Sequence, residues 1–345
     1  MDVDEAALAT ARVFDSIDAA RVEPEAALKV SALVDYRAKE IGQLVNLVEL
    51  ELGAPVPPPD EIGTLKRLRK LGLSAPMEVV PPWLFELPEL RELDLSNASF
   101  DSLPEELGRL QHLRSLRVAS SELTRLPEAL GDLADLRTLT IDAGQLRELP
   151  ASIGKLGRLR RLTVEHNRLA RLGPELGALP NLGELHLPRN ELSELPAEIG
   201  DLARLRVLRL EKNRLTRLPP ELGRLSKLEV LHLDENQLTE LPVELTELRA
   251  LRELAVGDNQ LRTVPEGLAD LPLQILRLND NQLTSLPEAL GKLTGLRLLV
   301  VQGNRIPDGL AALKKKLKKA TLHAGKNPLT KQERAALRAV RGVYL

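Results

Sequence analysis

Residues 90–112 read LRELDLSNASFDSLPEELGRLQH, and the same pattern returns about every 23 residues through most of the 345-residue chain. Numbered from Leu90, apolar residues recur at places 1, 4, 6, 11, 14, 18 and 21, with proline at place 15. Regular repeats also start at Leu113, Leu136, Leu159, Leu182, Leu205, Leu228, Leu251, Leu273 and Leu296. Shorter, less regular repeats start at Leu47 and Leu68, which makes about twelve in all. Such a period is typical of a protein that stacks one supersecondary unit on the next.

The pattern within a repeat predicts a strand, a turn and a return segment. Places 4 and 6 alternate with polar residues, as in a short strand with one buried face. Asparagine at place 9 offers the donors and the acceptor that an inward turn of the backbone needs, so stacked asparagines should form a ladder. These are Asn167, Asn190, Asn213, Asn236, Asn259, Asn281 and Asn304. The place 15 proline lacks the N–H group for strand pairing and therefore opens the return segment.

The pattern LxxLxLxxNxLxxLPxxLGxL resembles the leucine-rich repeat family, in the 23-residue form found in Ras-group intracellular proteins, Roco proteins and many bacterial proteins. The resemblance covers roughly residues 47–306. It implies an α/β fold, a leucine-rich-repeat solenoid or horseshoe with a parallel β-sheet on its concave side and caps at both ends. Ala98, Ser121 and Gly144 replace the asparagine in three consecutive repeats, so we expect a weaker ladder there.

Residues 1–46 lack the repeat and are predicted to form a helical amino-terminal cap, with a separate docking domain as the alternative. Two helices are expected, because Glu23-Pro24 forms a break and Pro24 suits a first helical turn. The second helix would have one apolar face made by Leu28, Leu33, Tyr36, Ala38 and Ile41. Trp83 and Phe85, in the outer segment of an irregular repeat, are expected to pack against this cap.

Residues 307–345 are predicted to form a basic carboxy-terminal cap. Its first helix would bury one face and expose lysines, the buried residues being Leu310, Leu313 and Leu317 and the exposed ones Lys314, Lys315, Lys316, Lys318 and Lys319. A degenerate strand and turn over residues 322–329 should follow. Thr330 and Glu333 then form a capping box for a last helix that reaches about Val340.

The composition excludes several classes of protein. A formal net charge of −2 with 28% charged residues argues against a globally basic nucleic-acid binder and against a highly charged disordered chain. The absence of cysteine excludes disulfides, thiolate metal sites and cysteine nucleophiles. The acidic start MDVDEAALATARVF does not resemble a signal peptide, so we expect a cytoplasmic protein. The predominance of arginine over lysine suits a GC-rich bacterial genome.

Charge is segregated along the chain. From Asp308 onward there are seven lysines and three arginines against one aspartate and one glutamate, a net charge of +8, which leaves −10 for residues 1–307. The Lys314–Lys319 cluster therefore suggests an alternative function as a binder of a polyanion or an anionic membrane. No aromatic stacking residues accompany the lysines, so the solvated face of a capping helix is the preferred interpretation.

Residues at places 3, 5, 7 and 8 should point outward and align in columns, with neighbours about 4.8 Å apart. In the repeats that start at Leu159, Leu182, Leu205 and Leu228, the columns assemble a dense mixed-charge surface. The predicted partner-binding residues are Arg161, Glu165, His166, His186, Arg189, Arg209, Glu211, Lys212, His232, Asp234, Val207 and Val230. The place 3 column of exposed aliphatic residues, Val207, Val230, Ile275 and Leu298, is typical of an interface, unless the carboxy-terminal segment covers part of it. Alternatively, the charges only satisfy one another in a solvated array.

The same surface is a poor candidate for chemistry. His186 and His232 are expected two strands apart with Arg209 between them, which does not suit a shared metal ion. Glu211 and Asp234 have a spacing compatible with retaining glycoside hydrolysis. The basic residues around them, Arg189, Arg209 and Lys212, favour ion pairs instead. No nucleophile accompanies His232, and no GxxxxGK[ST] loop occurs, so no catalytic residue, metal or cofactor is predicted.

The sequence therefore predicts a non-catalytic protein-interaction module or scaffold that binds a partner on its concave face. The family resemblance implies signalling and suggests a small GTPase or its regulatory complex as that partner. Nucleic acid and membrane are disfavoured partners. A monomer is expected, because both ends of the solenoid should be closed.

Overall fold

The computed structural model describes residues 11–22, 27–33, 38–53, 55 and 57–345. The chain divides into two compact units, residues 1–167 and residues 168–345. Within each unit, successive repeats add one strand to a parallel sheet and, on the return segment, one short helix. The predicted repeat structure of strand, turn and return segment is therefore confirmed.

The described residues of the first unit form eight parallel strands that pair in chain order. They are β1 (Val13–Phe14), β2 (Lys29–Leu33), β3 (Glu49–Gly53), β4 (Lys70–Ser74), β5 (Glu92–Ala98), β6 (Ser115–Ser120), β7 (Thr138–Asp142) and β8 (Arg161–Glu165). Its helices are α1 (Ile17–Val22) and the 3-10 helices η1 (Ala38–Gln43), η2 (Asp60–Thr64), η3 (Pro82–Glu86), η4 (Glu105–Arg109), η5 (Glu128–Asp132) and η6 (Ala151–Lys155).

The second unit also adds its strands in chain order. They are β9 (Glu184–His186), β10 (Val207–Arg209), β11 (Val230–His232), β12 (Glu253–Ala255), β13 (Ile275–Arg277), β14 (Leu298–Val300), β15 (Thr321–His323) and β16 (Val343–Tyr344). The 3-10 helices are η7 (Pro174–Ala178), η8 (Ala197–Asp201), η9 (Pro220–Arg224), η10 (Val243–Glu247), η11 (Glu266–Asp270) and η12 (Glu288–Lys292). Two α-helices, α2 (Leu310–Lys316) and α3 (Lys331–Arg338), follow near the end of the chain.

Leucines at the repeating apolar places form the core. Leu208 and Leu210, at places 4 and 6, are fully buried. Val207, which precedes Leu208, and Arg209, which lies between the two leucines, are half-buried on the other face of the strand. Each buried leucine contributes roughly 1.5–3 kcal/mol relative to an exposed one. Because almost every repeat supplies several, the alternation at period two fixes which face of each sheet meets solvent.

The predicted asparagine ladder is present. The Asn213 side-chain amide donates to the carbonyl oxygens of Leu187 at 2.9 Å and Leu210 at 3.0 Å, and its Oδ1 accepts from the Leu192 backbone N–H at 3.1 Å. In the repeat where Ser121 replaces the asparagine, the buried Ser120 hydroxyl donates to the Phe100 carbonyl oxygen at 2.7 Å.

The residue before each ladder asparagine has a left-handed backbone. In the second unit φ at place 8 is 55° at Arg189, 60° at Lys212, 55° at Glu235, 52° at Asp258 and 51° at Asp280. This region favours glycine, which occupies the same place at residue 303, with φ 68°. The turn therefore holds charged side chains outward at a position with some backbone strain.

The prediction of two helices in residues 1–46 is wrong for the second helix. Residues 29–33 form strand β2, which pairs with β1 and β3, and residues 38–43 form the 3-10 helix η1. The apolar run is short enough to fit either period, and pairing with the exposed edge of β3 satisfies backbone groups that a helix would have left open. Leu28 is half-buried and Ile41 is fully buried. Tyr36 and the Glu23-Pro24 break lie outside the described residues.

The first predicted helix is present as α1, whose start is capped by the Ser16 hydroxyl accepting from the Ala19 backbone N–H at 3.1 Å.

Trp83 and Phe85 are buried as expected, and Trp83 packs on Gly63 of the preceding repeat. A Cβ at Gly63 would lie 2.6 Å from the Trp83 Cβ. The preceding repeat therefore contacts Trp83 directly.

The carboxy-terminal elements follow the prediction with one correction. The Thr330 side chain accepts from the Glu333 backbone N–H at 3.1 Å and caps α3, which ends at Arg338 rather than near Val340. Lys314 was predicted to face solvent but is only 4% exposed, with its Nζ 3.5 Å from the Leu317 carbonyl oxygen. Its aliphatic stem fills space beside the buried leucines of α2, as long lysine side chains often do. Within the described residues, no helix combines the length and apolar character of a membrane span.

Candidate functional site

The strand register aligns the predicted columns. His186, Arg209 and His232 are consecutive Cα partners across β9, β10 and β11. Val207 is likewise the partner of Val230 on one side and of Glu184 on the other. Residues 23 apart in sequence are therefore direct neighbours on this sheet, as predicted.

Three predicted residues, Arg161, Glu165 and His166, belong to the first unit. Arg161 begins β8 and Glu165 ends it, and His166 follows in the left-handed turn with φ 52°. His166 Nδ1 lies 3.2 Å from an Asp142 oxygen, a contact that the sequence analysis missed. The side chains of Asp142, Glu165 and His166 have possible ligand atoms within 4.8 Å of one another. The Arg117 guanidinium, 3.9 Å from Asp142, makes this group an ion-pair network rather than a favourable cation site.

The other nine predicted residues belong to the second unit, and we call them the strand-face patch: His186, Arg189, Val207, Arg209, Glu211, Lys212, Val230, His232 and Asp234. At its centre, Arg209 Nη1 and Glu211 Oε1 are 4.0 Å apart, so their contact is a loose ion pair. The Arg209 Nε and Glu211 Oε2 atoms are themselves buried and find no hydrogen-bond partner among the described residues. Buried polar atoms are normally satisfied, so these two leave hydrogen-bonding capacity unused.

Asp234 is held by its neighbouring turn. Its carboxylate accepts a hydrogen bond from the Gly257 backbone N–H at 2.8 Å. Burial raises the pKa of this carboxyl above its ordinary value, and the negative charge of Glu211 adds to the effect. The Gly257 hydrogen bond and the nearby His232 oppose the rise in pKa without cancelling it. A cationic group of a partner would therefore stabilise the ionised form of the Asp234 carboxyl.

A second network extends the patch toward β12. His232 Nε2 lies 3.0 Å from Glu253 Oε1, and the same oxygen accepts from Arg277 Nη1. Burial, the largest influence, raises the pKa of Glu253, but the hydrogen bonds from Arg277 and His232 outweigh it, so the pKa lies below its ordinary value. Glu253 and Arg277 were not predicted as neighbours of His232. Their column positions offered a signal, because place 3 of one repeat lies diagonal to place 5 of the previous one.

The rim of the patch also contains an ion pair and a paired histidine. Lys212 Nζ lies 3.1 Å from Glu235 Oε1, joining two of the left-handed turns. His186 Nε2 lies 3.4 Å from a Glu184 oxygen. With Arg209 between His186 and His232 in the register, the structure does not bring these two histidines together as a pair of ligands. Part of the charge on this surface is therefore satisfied internally.

The predicted aliphatic column needs two corrections. Val207, Val230, Ile275 and Leu298 are half-buried rather than exposed. Glu253 also stands between Val230 and Ile275, so the column consists of two separate aliphatic pairs. The carboxy-terminal segment does not cover this column: β15 continues the sheet and places Thr321 beside Leu298.

The alternative site at the end of the chain is less compact than predicted. With Lys314 buried, the exposed lysines are Lys315, Lys316, Lys318 and Lys319. Lys316 Nζ lies 3.6 Å from Glu288, so an acid already faces one of them. Both observations weaken this surface as a polyanion site.

Comparisons with known proteins agree with the architecture. A sequence profile described as a leucine-rich repeat region matches residues 77–188 and 174–272, and a leucine-rich repeat profile matches residues 272–293. No curated protein matches the chain. A leucine-rich repeat protein of Leptospira interrogans is similar in structure, with a TM-score of 0.84, 29% identity, and coverage of 97% of this chain and 100% of that chain.

Two further solved structures are similar. An internalin, InlF of Listeria monocytogenes, has a TM-score of 0.70 at 21% identity, over 94% of this chain and 88% of the internalin. A TDR receptor has a TM-score of 0.74 at 25% identity, over 92% of this chain but only 59% of the receptor. The sequence profiles, which together span residues 77–293, and the repeat structure lead to one conclusion: the chain belongs to the leucine-rich repeat family.

Proposed function

We propose that the protein is a non-catalytic, cytoplasmic scaffold whose strand-face patch binds another protein. Leucine-rich repeats serve in general as protein–protein interaction modules, and the finer assignment to this surface is the proposal. The patch combines both signs of charge with the half-buried Val207 and Val230, as in an interface with an apolar centre and a polar surround.

The observation that carries the proposal is the unused hydrogen-bonding capacity of Arg209 and Glu211. An isolated solvated array would pair such groups with each other, but these two side chains meet only at 4.0 Å. Both side chains also keep accessible surface, 42% for Arg209 and 23% for Glu211, so that a partner can reach their outer atoms. A protein that offers a carboxylate to Arg209 and a donor to Glu211 would form charge-assisted hydrogen bonds there.

A small GTPase, or a complex that regulates one, is the partner suggested by the resemblance to Ras-group and Roco repeat proteins. This identification rests on family analogy, whereas the proposed surface rests on the geometry of the second unit. The two can therefore fail separately. A partner of another kind at the same patch would leave the assignment of the surface intact.

The test is affinity capture from the source cell with the wild type and with the double variant Arg209→Glu, Asp234→Arg. Both changes reverse charges at the centre of the patch, so the recovered partner should be lost or strongly reduced. The matched control is Glu194→Arg, Arg217→Glu. This pair is 3.3 Å apart, highly exposed and outside the strand-face patch, and the control should recover the partner as the wild type does.

Equal recovery by the wild type and the Arg209→Glu, Asp234→Arg variant would contradict the proposed surface. Capture that is lost instead on changing Lys315, Lys316, Lys318 and Lys319 to glutamine would support the polyanion or membrane alternative. Such a complex should also weaken steeply between low and moderate salt. A turnover that disappears with Glu211→Gln or Asp234→Asn would contradict the non-catalytic assignment.

A further inference from the structure

The repeat that starts at Leu68 is unlike the others, because its return segment carries Pro81-Pro82 and a concentration of aromatic residues. Trp83 and Phe85 in this segment and Phe100 in the next repeat are three of the six aromatic residues in the whole chain. All three are buried. Val79, just before the two prolines, is instead 74% exposed and is one of only a few large apolar side chains in the described residues that face solvent.

A cavity of about 470 Å³ lies between this return segment and that of the next repeat. Its apolar lining comes from Val79, Val80, Pro82, Phe85 and Pro104. The lining residues lie in or next to η3 and η4 and outside every strand, so the cavity is separate from the strand face of the sheet. Its volume falls within the range of sites that enclose small ligands, and it is large enough for an amino-acid side chain.

The rim of the cavity is acidic. Glu78, Glu86, Asp101 and Glu106 surround it, with Arg109 as the one basic residue of the lining. Glu86 faces Lys66 at 4.0 Å, and Asp101 accepts from the Ser102 hydroxyl at 2.7 Å. The side chains of Glu78 and Glu106 make no hydrogen bond or ion pair with any residue in the described part of the chain. Two carboxylates beside an exposed apolar surface thus have their full charge available to a partner.

We propose that this cavity binds a basic peptide segment of a partner protein, with one apolar side chain of the segment inserted as an anchor. The apolar lining accepts the anchor, and flanking lysine or arginine residues pair with Glu78 and Glu106. An apolar centre within a charged surround is the common arrangement of a peptide interface, and the excess of negative charge selects a basic segment.

Other occupants fit the charge or the apolar surface less well. Nucleic acid and anionic lipid would be repelled by the carboxylates of the rim. The basic segment of a second copy, around Lys315–Lys319, has the required charge, but its leucines Leu310, Leu313 and Leu317 are buried in its own unit. The occupant with both properties is therefore a basic segment whose apolar side chain is free.

Trp83 provides a direct reporter, since it is the only tryptophan of the chain and follows Pro82 of the lining. Its emission is measured while the hexapeptide Lys-Lys-Leu-Phe-Lys-Lys is added to the full chain. We expect a saturable change with a Kd below about 1 mM. The control peptides Glu-Glu-Leu-Phe-Glu-Glu and Lys-Lys-Ser-Ser-Lys-Lys should bind at least about tenfold more weakly, because each lacks one of the two required features.

Two sets of variants locate the site. Glu78→Lys with Glu106→Lys should weaken binding about tenfold or more by replacing attraction with repulsion, and Val79→Ser should weaken it by removing apolar contact. The matched controls in the second unit are Glu240→Lys with Glu266→Lys, at two exposed positions, and Val243→Ser, where Val243 is 65% exposed. These should bind the peptide as the wild type does. All positions are exposed to solvent, and circular dichroism of each variant verifies the fold.

The proposal is overturned by an absence of saturation below about 1 mM, by equal binding of all three peptides, or by an unchanged Kd in the rim double variant. Self-association of the wild type that is abolished by Glu78→Lys with Glu106→Lys would overturn it in favour of a second copy. Anisotropy of a labelled peptide verifies that the change in tryptophan emission reports binding.

Discussion

At the scale of single residues, hydrogen bonds of the ladder asparagines hold successive turns together. Asn236 donates to the carbonyl oxygens of Leu210 at 2.9 Å and Leu233 at 3.0 Å, and accepts from the Leu215 backbone N–H at 3.0 Å. This one amide therefore satisfies three buried backbone groups in two successive repeats. Leucine supplies the core, but asparagine makes the buried turn compatible with it.

Asn236→Ala should lower the free energy of unfolding by about 2–4 kcal/mol, because it leaves buried backbone groups unpaired. Urea denaturation followed by circular dichroism measures the effect. Gln237→Ala, at the neighbouring exposed position, is the control and should change the value by no more than about 0.5 kcal/mol. Equal effects of the two changes would show that the ladder contributes no special stability.

Asp258 gives a pH-dependent prediction. Partial burial and the charges of Asp280 and Glu235 raise the pKa of its carboxyl above the ordinary value. The folded state therefore holds this proton more tightly than the unfolded state does, and stability contributed by the protonated form is lost as pH rises. Asp258→Asn should therefore raise the free energy of unfolding at pH 7. The gain should be less than about 1 kcal/mol, because the side chain is exposed and solvent screens its charge.

The gain should vanish as pH falls through the folded pKa, where the wild-type carboxyl also becomes neutral. Urea denaturation of both proteins between pH 3 and pH 7 measures it. A difference that stays constant over this range would assign the effect to the backbone of the left-handed turn rather than to charge.

Glu253 should behave in the opposite sense. Its pKa is lowered by Arg277 and His232, so its stabilising contribution is present above the unfolded pKa and lost as pH falls through the folded pKa. Glu253→Gln should therefore lower the free energy of unfolding at pH 7 by about 1 kcal/mol, after allowance for partial solvent exposure. The same denaturation series measures the effect, and a loss that persists at pH 3 would contradict an electrostatic origin.

At the scale of elements, the return segments pack by close approach of backbone. A Cβ at Gly223, in η9, would lie 2.5 Å from the Glu244 carbonyl oxygen in η10. Glycine at this place of the repeat therefore sets the spacing of consecutive 3-10 helices. Gly295 lies between η12 and β14, and a Cβ there would be 4.0 Å from the nearest atom, the Leu273 carbonyl oxygen. This glycine therefore does not set the spacing of return segments.

Gly223→Ala should lower the free energy of unfolding by about 1–3 kcal/mol, because the methyl group forces two return segments apart. Gly295→Ala is the matched control and should be neutral or stabilising by up to about 1 kcal/mol. Thermal or urea denaturation of the pair provides the measurement. A neutral effect at Gly223 would contradict the assigned contact.

Sequence periodicity predicts the elements well where the pattern is regular. Strand positions such as β10 and β11, the ladder and the capping box at Thr330 all follow from residue types at fixed spacing. Strand β2 was missed because Val30 and Ala32 occupy the places of the two strand leucines and the asparagine is missing. Only pairing with β3 decides between strand and helix there. The ion pair of His232 with Glu253 was missed because diagonal contacts depend on side-chain rotamers.

At the scale of the whole molecule, repeated elements make the position of a surface predictable but leave its use open. The columns of the second unit were predictable because each strand begins at the same place of its repeat. The cavity beside Phe85 was not, since it arises where the repeat is irregular. Function therefore depends on residues that the repeat itself does not constrain.

The central claim is that the strand-face patch of the second unit binds a protein. The most direct measurement is the Kd of the captured partner for the wild type, for Arg209→Glu with Asp234→Arg, and for Glu194→Arg with Arg217→Glu. We predict that the first variant binds at least about tenfold more weakly, a loss of about 1.4 kcal/mol or more, while the second stays within about twofold of the wild type. An unchanged Kd for the first variant, or an equal loss for both, would contradict the claim.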